Sequence, residues 1–123
     1  MKFLIMIQSN AASSAKLAEF TQAQRLEFGR AHRNLSEELA VSGELIVSEG
    51  LADQSMAKRV SVRDGATVTT DGPFAEVKEQ LAGFYLVECD SYERAVEHAA
   101  KVPDAQFGHV EVRPVLDLRG LEM

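Results

Sequence analysis

The chain reads as one α+β domain in which elements follow one another as β-α-β, a hairpin, and β-α-β again. Three observations predict this order. Lys2-Phe3-Leu4-Ile5-Met6-Ile7 and Gly83-Phe84-Tyr85-Leu86-Val87 are short, apolar and β-favouring, as buried strands are. Each is followed by a segment whose apolar residues recur with the period of a helix. Between the two halves, Asp64-Gly65 is the two-residue signal of a tight hairpin.

The whole chain bounds the reading. Its 123 residues are 46% hydrophobic, enough for one domain that buries roughly two thirds of its unfolded surface. With 19 acidic against 13 basic side chains the net charge is −6. No basic block is present to follow a phosphate backbone, so direct nucleic-acid binding is not expected. Cys89 stands alone, which excludes an internal disulfide and suits a reducing compartment. The apolar run at residues 3–7 is far too short for a signal segment or a membrane span. A soluble, cytoplasmic protein is expected.

The elements follow in order. Residues 2–8 form the first strand, and Ser13 or Ser14 is placed to cap the first helix. Leu17, Phe20, Phe28, Ala31, Leu35 and Leu39 fall on one stripe, which predicts a single helix of about 25 residues ending at Ser42-Gly43. Gly29 inside it costs about 1 kcal/mol relative to alanine and could allow a bend. Glu44 to Glu49 is the second strand. Residues 59–63 and 66–70 form the hairpin, whose alternation of Val60 and Val62 with Arg59, Ser61 and Arg63 makes it peripheral. Residues 83–89 are the next core strand, and Asp90 or Ser91 caps the second helix, with Glu93 placed to close a box on Asp90. Tyr92, Ala95, Val96 and Ala99 line that helix's buried face, Pro103 lies beyond its end, and a last strand runs from about Phe107 to Arg113. Residues 116–123 show no period and read as a tail or a partner-contacting arm. This is the split βαβ order of a ferredoxin-like fold. Its inner strands are apolar on both sides, so the face without helices needs a cover, most simply a second copy of the chain.

Asp71-Gly72-Pro73-Phe74 resists helix, and Glu76, Lys78, Glu79 and Gln80 then crowd polar groups directly before the core strand at 83–89. Such a segment costs stability unless its groups find partners or face a cavity. It is the first place to expect a site.

The tetrapeptide Asp71-Gly72-Pro73-Phe74, with Glu76-Val77-Lys78-Glu79-Gln80-Leu81 and Gly83-Phe84-Tyr85-Leu86, closely resembles the signature of the DGPF branch of the YCII-related (YciI-like) proteins. The resemblance extends to the opening strand, to Ser42-Gly43-Glu44-Leu45 with Glu49-Gly50-Leu51, and to Gly108-His109-Val110-Glu111-Val112-Arg113-Pro114-Val115. It departs at Ala82, where the family usually has a second glycine. The resemblance implies a dimeric α/β barrel and, in the YciI branch, a site built on a paired histidine and aspartate. The positions matching that pair here are His32 and Asp71. It also implies an alternative, a non-catalytic ligand-binding or regulatory dimer, because family members occur beside or fused to sigma-factor-like regulators.

The residues themselves carry no phosphate loop, no Cys-x-x-Cys, no Gly-x-Ser-x-Gly and no His-Glu-x-x-His. His32 lies on the border of the first helix's apolar stripe, where an imidazole can act as a general base, or simply pack. Asp71 would fix its tautomer, or merely accept bonds within its own turn. His109, Glu111 and Arg113 alternate with Val110 and Val112, so they share a face; Arg113 could anchor an anionic small molecule, or pair with Glu111. Glu76 and Lys78 could reach the pocket or stay solvated. His98 reads as a solvent-facing residue and Cys89 as a small core hydrophobe. The expected function is therefore a lyase or isomerase of a small molecule that moves a proton without cofactor or metal. His32 and Asp71 would do the chemistry, and Arg113, His109, Glu76 and Lys78 would contact substrate.

Overall fold

The computed structural model describes residues 1–74, 77–107 and 109–121. Its core is a four-stranded antiparallel sheet of β1 (Lys2–Ser9), β2 (Leu45–Gly50), β5 (Gln80–Glu88) and β6 (Val110–Pro114), in the order β2-β5-β1-β6. Numbered among themselves, these strands run 2-3-1-4, the ferredoxin-like order expected from the alternation of elements. The remaining strands, β3 (Lys58–Arg63) and β4 (Ala66–Asp71), form a separate two-stranded hairpin. Asp64 (φ 51°) and Gly65 (φ 78°) turn it, the left-handed pair that a two-residue connection demands. Both of its strands are exposed along their whole length.

One face of the sheet carries the core. Strand alternation sends Phe3, Ile5, Tyr85 and Val87 to the same side, where Leu35, Leu39, Ala95, Ala99 and Val102 pack on them. The other side presents Leu4, Met6, Phe84 and Leu86, with Glu111 in register with Met6 and Arg113 with Leu4. Val110 and Val112 pack toward the core, so Arg113 lies on the face away from the helices.

The single long helix is two. α1 (Ala11–Ala18) and α2 (Gln22–Val41) meet at an elbow where Thr21 is extended. Thr21 Oγ1 accepts from the Gln24 N–H while Gln24 Oε1 accepts from the Thr21 N–H, a capping box that starts a new helix within an unbroken apolar stripe. α1 is capped by Asn10 rather than by Ser13 or Ser14. Its Oδ1 takes the Ser13 N–H at 2.8 Å, and Ser13 Oγ answers the Asn10 N–H. α2 ends as expected, with Ser42 as its C-cap and Gly43 following at φ 80°.

α3 (Tyr92–Ala100) is capped by Ser91, whose hydroxyl accepts from Arg94 N–H; Glu93 stands in the first turn and closes no box on Asp90. Pro103–Phe107 is a 3-10 turn, so β6 begins at Val110 rather than near Phe107. Leu118–Leu121 forms one further helical turn, α4, within the expected tail. No helix of the described residues is long and apolar enough to cross a membrane.

Candidate functional site

The site lies where α2, the sheet and the 3-10 turn after α3 converge. α2 carries His32 four positions after Phe28, whose ring meets the imidazole edge-on at a centroid distance of 5.1 Å. β5 sends Tyr85 up from the sheet, and the Tyr85 and His32 rings lie nearly parallel, 12° apart in plane. The turn begun by Pro103 brings Asp104 to the far side of the imidazole.

These three side chains form one hydrogen-bonded line. His32 Nε2 is 2.7 Å from Asp104 Oδ1, and His32 Nδ1 is 2.7 Å from Tyr85 Oη. A carboxylate only accepts, so Nε2 carries the proton toward Asp104 and a neutral ring leaves Nδ1 bare to accept from the Tyr85 hydroxyl. The phenol has one hydrogen, and the His32 carbonyl, 3.3 Å away, shares it as the longer arm of a three-centre bond. Burial pushes the Tyr85 phenol up from its ordinary range; Ser36 opposes that shift and the charge of Asp104 adds to it.

The line borders a cavity of about 400 Å³. Ser36 and Ser48, 3.1 Å apart, continue its polar lining, and Ile7, Phe28 and Ala82 supply apolar lining. Gly83 is there because nothing larger fits: a Cβ on it would stand 2.9 Å from the Glu49 carbonyl oxygen and 3.3 Å from Gly50 Cα. Arg33 stands exposed at the rim.

The pairing expected between His32 and Asp71 does not form. Asp71 ends β4 and holds Lys58 Nζ at 2.8 Å, with three quarters of its side chain in solvent. The carboxylate on His32 is Asp104, 72 residues along the chain. Arg113 is on the opposite face of the sheet from His32, and no ion pair joins it to Glu111 among the described residues. His109 lies just before β6, its carbonyl accepting from the Gln8 N–H at 3.0 Å, and it borders a separate hollow together with Glu111. The Asn10 amide donates to its Nε2 at 2.9 Å, which leaves Nδ1–H for the Glu79 carboxylate, also at 2.9 Å. Lys78 is exposed on a separate hollow beside Phe74. Glu76 lies outside the described residues. Among those described, no cluster of three or more His, Cys, Asp or Glu could hold a metal ion.

The structure also corrects the reading of His98. It is 1% exposed, on the helix that also buries Ala95 and Ala99. Its Nε2 donates to Glu44 Oε2 at 2.9 Å, and its Nδ1 is buried without a partner. Glu44 also takes two bonds from the Arg94 guanidinium, at 3.1 and 3.2 Å. Arg94 first, then His98, pull the Glu44 carboxyl down to about 2. Cys89 is buried, its thiol pushed up by burial, and behaves as the small hydrophobe expected.

The model of the YCII-related domain matches residues 1–119. Over 53 residues the chain is 49% identical to an uncharacterized protein of Rhizobium meliloti (strain 1021), a stretch covering 42% of this chain and 43% of that protein. The chain thus matches less than half the length of that relative. Among solved structures, 5-chloro-2-hydroxyhydroquinone dehydrochlorinase (TftG) from Burkholderia phenoliruptrix AC1100, in complex with 2,5-dihydroxybenzoquinone, is similar in fold. The TM-score is 0.50 over 94% of each chain, at 16% identity, a level that speaks to fold alone.

Proposed function

Because the chain belongs to the YCII-related domain family, we propose that it is a small-molecule enzyme of the lyase or isomerase type, working by proton transfer at the cavity beside His32. The observation that carries this reading is the Asp104–His32–Tyr85 line, with 2.7 Å at both joints, on the wall of a ligand-sized hollow. His32 is the base. Asp104 takes the role first assigned to Asp71, fixing the tautomer and stabilising the imidazolium that forms when the ring accepts a proton. Side chains of this kind suffice to move a proton. That the dehydrochlorinase of similar fold is found in complex with a small molecule supports a substrate of that class without naming it.

The apolar outer face of the sheet, with Leu4, Met6, Phe84 and Leu86, supports the further reading that two copies join face to face as a dimeric barrel. Sedimentation at the monomer mass would remove it. The rival reading, a non-catalytic ligand-binding or regulatory dimer, is favoured by one observation: both ring nitrogens of His32 are already bonded, as in a purely structural histidine.

Exchange of substrate C–H for deuterium, followed by proton NMR on a panel of small enolisable carbonyl compounds, separates the two. Catalysis predicts that His32→Gln slows exchange by about 100-fold and Asp104→Asn by about 10-fold. Exchange at the wild-type rate in His32→Gln, or binding with no exchange, would return the site to the rival.

A further inference from the structure

His32 has no ring nitrogen free for a substrate. Nε2 is held by Asp104 and Nδ1 by the Tyr85 hydroxyl, each at 2.7 Å. The proton His32 is placed to draw is therefore the one on Tyr85. Tyr85 borders the cavity, 2.7 Å from the base that would draw its proton; burial and the Asp104 charge hold the phenol above its ordinary range, and Ser36 alone works toward the ionised form. Ser36 in turn touches Ser48 Oγ, so the polar lining is continuous from Asp104 to Ser48. A phenolate with little water around it is a stronger base than an imidazole, matched to a weakly acidic C–H rather than to an N–H or O–H. Cys89, the one thiol in the chain, is buried with its sulfur turned to the Ser91 carbonyl, so it offers no nucleophile to this cavity.

We propose that Tyr85 Oη is the atom that exchanges a proton with substrate, and that the substrate is a small carbon acid with a C–H beside a carbonyl. The proposal rests on the proton-transfer reading of the same cavity. The Oη proton passes to His32 Nδ1, leaving a phenolate and an imidazolium whose Nε2–H remains on Asp104. The phenolate takes the substrate C–H proton, and the electron pair of that bond moves to the carbonyl oxygen as an enolate. In isomerisation Tyr85 returns a proton to a different carbon and recovers its own from Nδ1. In elimination the enolate expels a substituent as its anion, and the Nδ1 proton leaves to water.

The test follows exchange into deuterium oxide with small 2-oxo acids and 1,3-diketones as probes, comparing wild type with Tyr85→Phe, Ser36→Ala and His32→Gln. Tyr85→Phe should cut kcat by about 100-fold with KM held within about threefold, and Ser36→Ala should cut it by about threefold to tenfold. Ser36→Ala leaves the phenol in place, so it serves if Tyr85→Phe folds poorly. The chain has two tyrosines. In a Tyr92→Phe background, replacing the remaining one with 3-fluorotyrosine makes the phenol at position 85 more acidic. The alkaline inflection of the pH–rate profile should then move to lower pH, which a structural tyrosine would not cause. Wild-type exchange in Tyr85→Phe with an inactive His32→Gln, or an unmoved inflection, overturns the assignment to Tyr85 and leaves the cavity reading standing. No exchange of any probe by the wild-type protein overturns both.

Discussion

His32 and His98 are the same residue in nearly the same setting, and the contrast between them is instructive. Each sits on a helix packed against the same face of the sheet, and each donates from Nε2 to a carboxylate, at 2.7 and 2.9 Å. The difference is in the second nitrogen. That of His32 meets a hydroxyl beside a cavity, and a quarter of its side chain is in solvent. That of His98 meets nothing, and its carboxylate is shared with Arg94. One imidazole has somewhere to send a proton; the other fastens α3 to the start of β2. An ion pair with a histidine is therefore no sign of chemistry until the far side of the ring is described.

The comparison breaks if the two histidines respond alike to substitution. His98→Ala should lose about 3 kcal/mol of stability in urea unfolding, because it opens a core void and strips Glu44 of a partner, while exchange activity survives. His32→Gln should cost under about 1 kcal/mol, since its ring is partly solvated. Equal losses would dissolve the distinction.

Acid sharpens it. The Glu44 carboxyl is depressed from 4.5 to about 2 in the folded protein, so the unfolded chain takes up that proton first. Its contribution, about 2 kcal/mol after allowance for partial exposure, is complete above pH 4.5 and fades as pH falls toward 2. Glu44→Gln should flatten that stretch of the stability curve, and an unchanged slope would show that the carboxylate is not depressed. The smallest effect is expected at the other carboxylate once paired with His32. Asp71 and Lys58 are mostly in solvent, so Asp71→Asn should move the unfolding midpoint by the equivalent of less than about 0.5 kcal/mol. A loss above 1 kcal/mol would mean that Asp71 holds more than Lys58.

Much of the frame was legible in the letters, because apolar period and turn chemistry are local. The strand at Phe3–Ile7, the turn at Asp64-Gly65 and the end of α2 at Gly43 each follow from residues within a few positions of one another. The elbow was missed because the apolar stripe continues through it; the signal was Thr21 with Gln24, a capping box inside a helical pattern. His98 was misread by its polarity, although Ala95, His98, Ala99 and Val102 have helical spacing. Asp104 and Tyr85 carry no local mark of their role. They reach His32 from 72 and 53 positions away, a proximity set by strand order and by the turn at Pro103. The motif at Asp71 drew attention by its density of polar groups, which the fold satisfies instead with Lys58 and, through Glu79, His109.

The path between β2 and β5 leaves and rejoins the sheet at one point. Gly50 and Gly83 face each other in register, and the Leu51 N–H bonds the Ala82 carbonyl at 2.8 Å. Neither His32, Asp104 nor Tyr85 is drawn from the detour they close. Since lengthening a closed loop costs little, about 0.6 kcal/mol for each doubling, descendants of this chain are free to trim, extend or exchange that excursion while inheriting the hydrogen-bonded line of Asp104, His32 and Tyr85 unaltered.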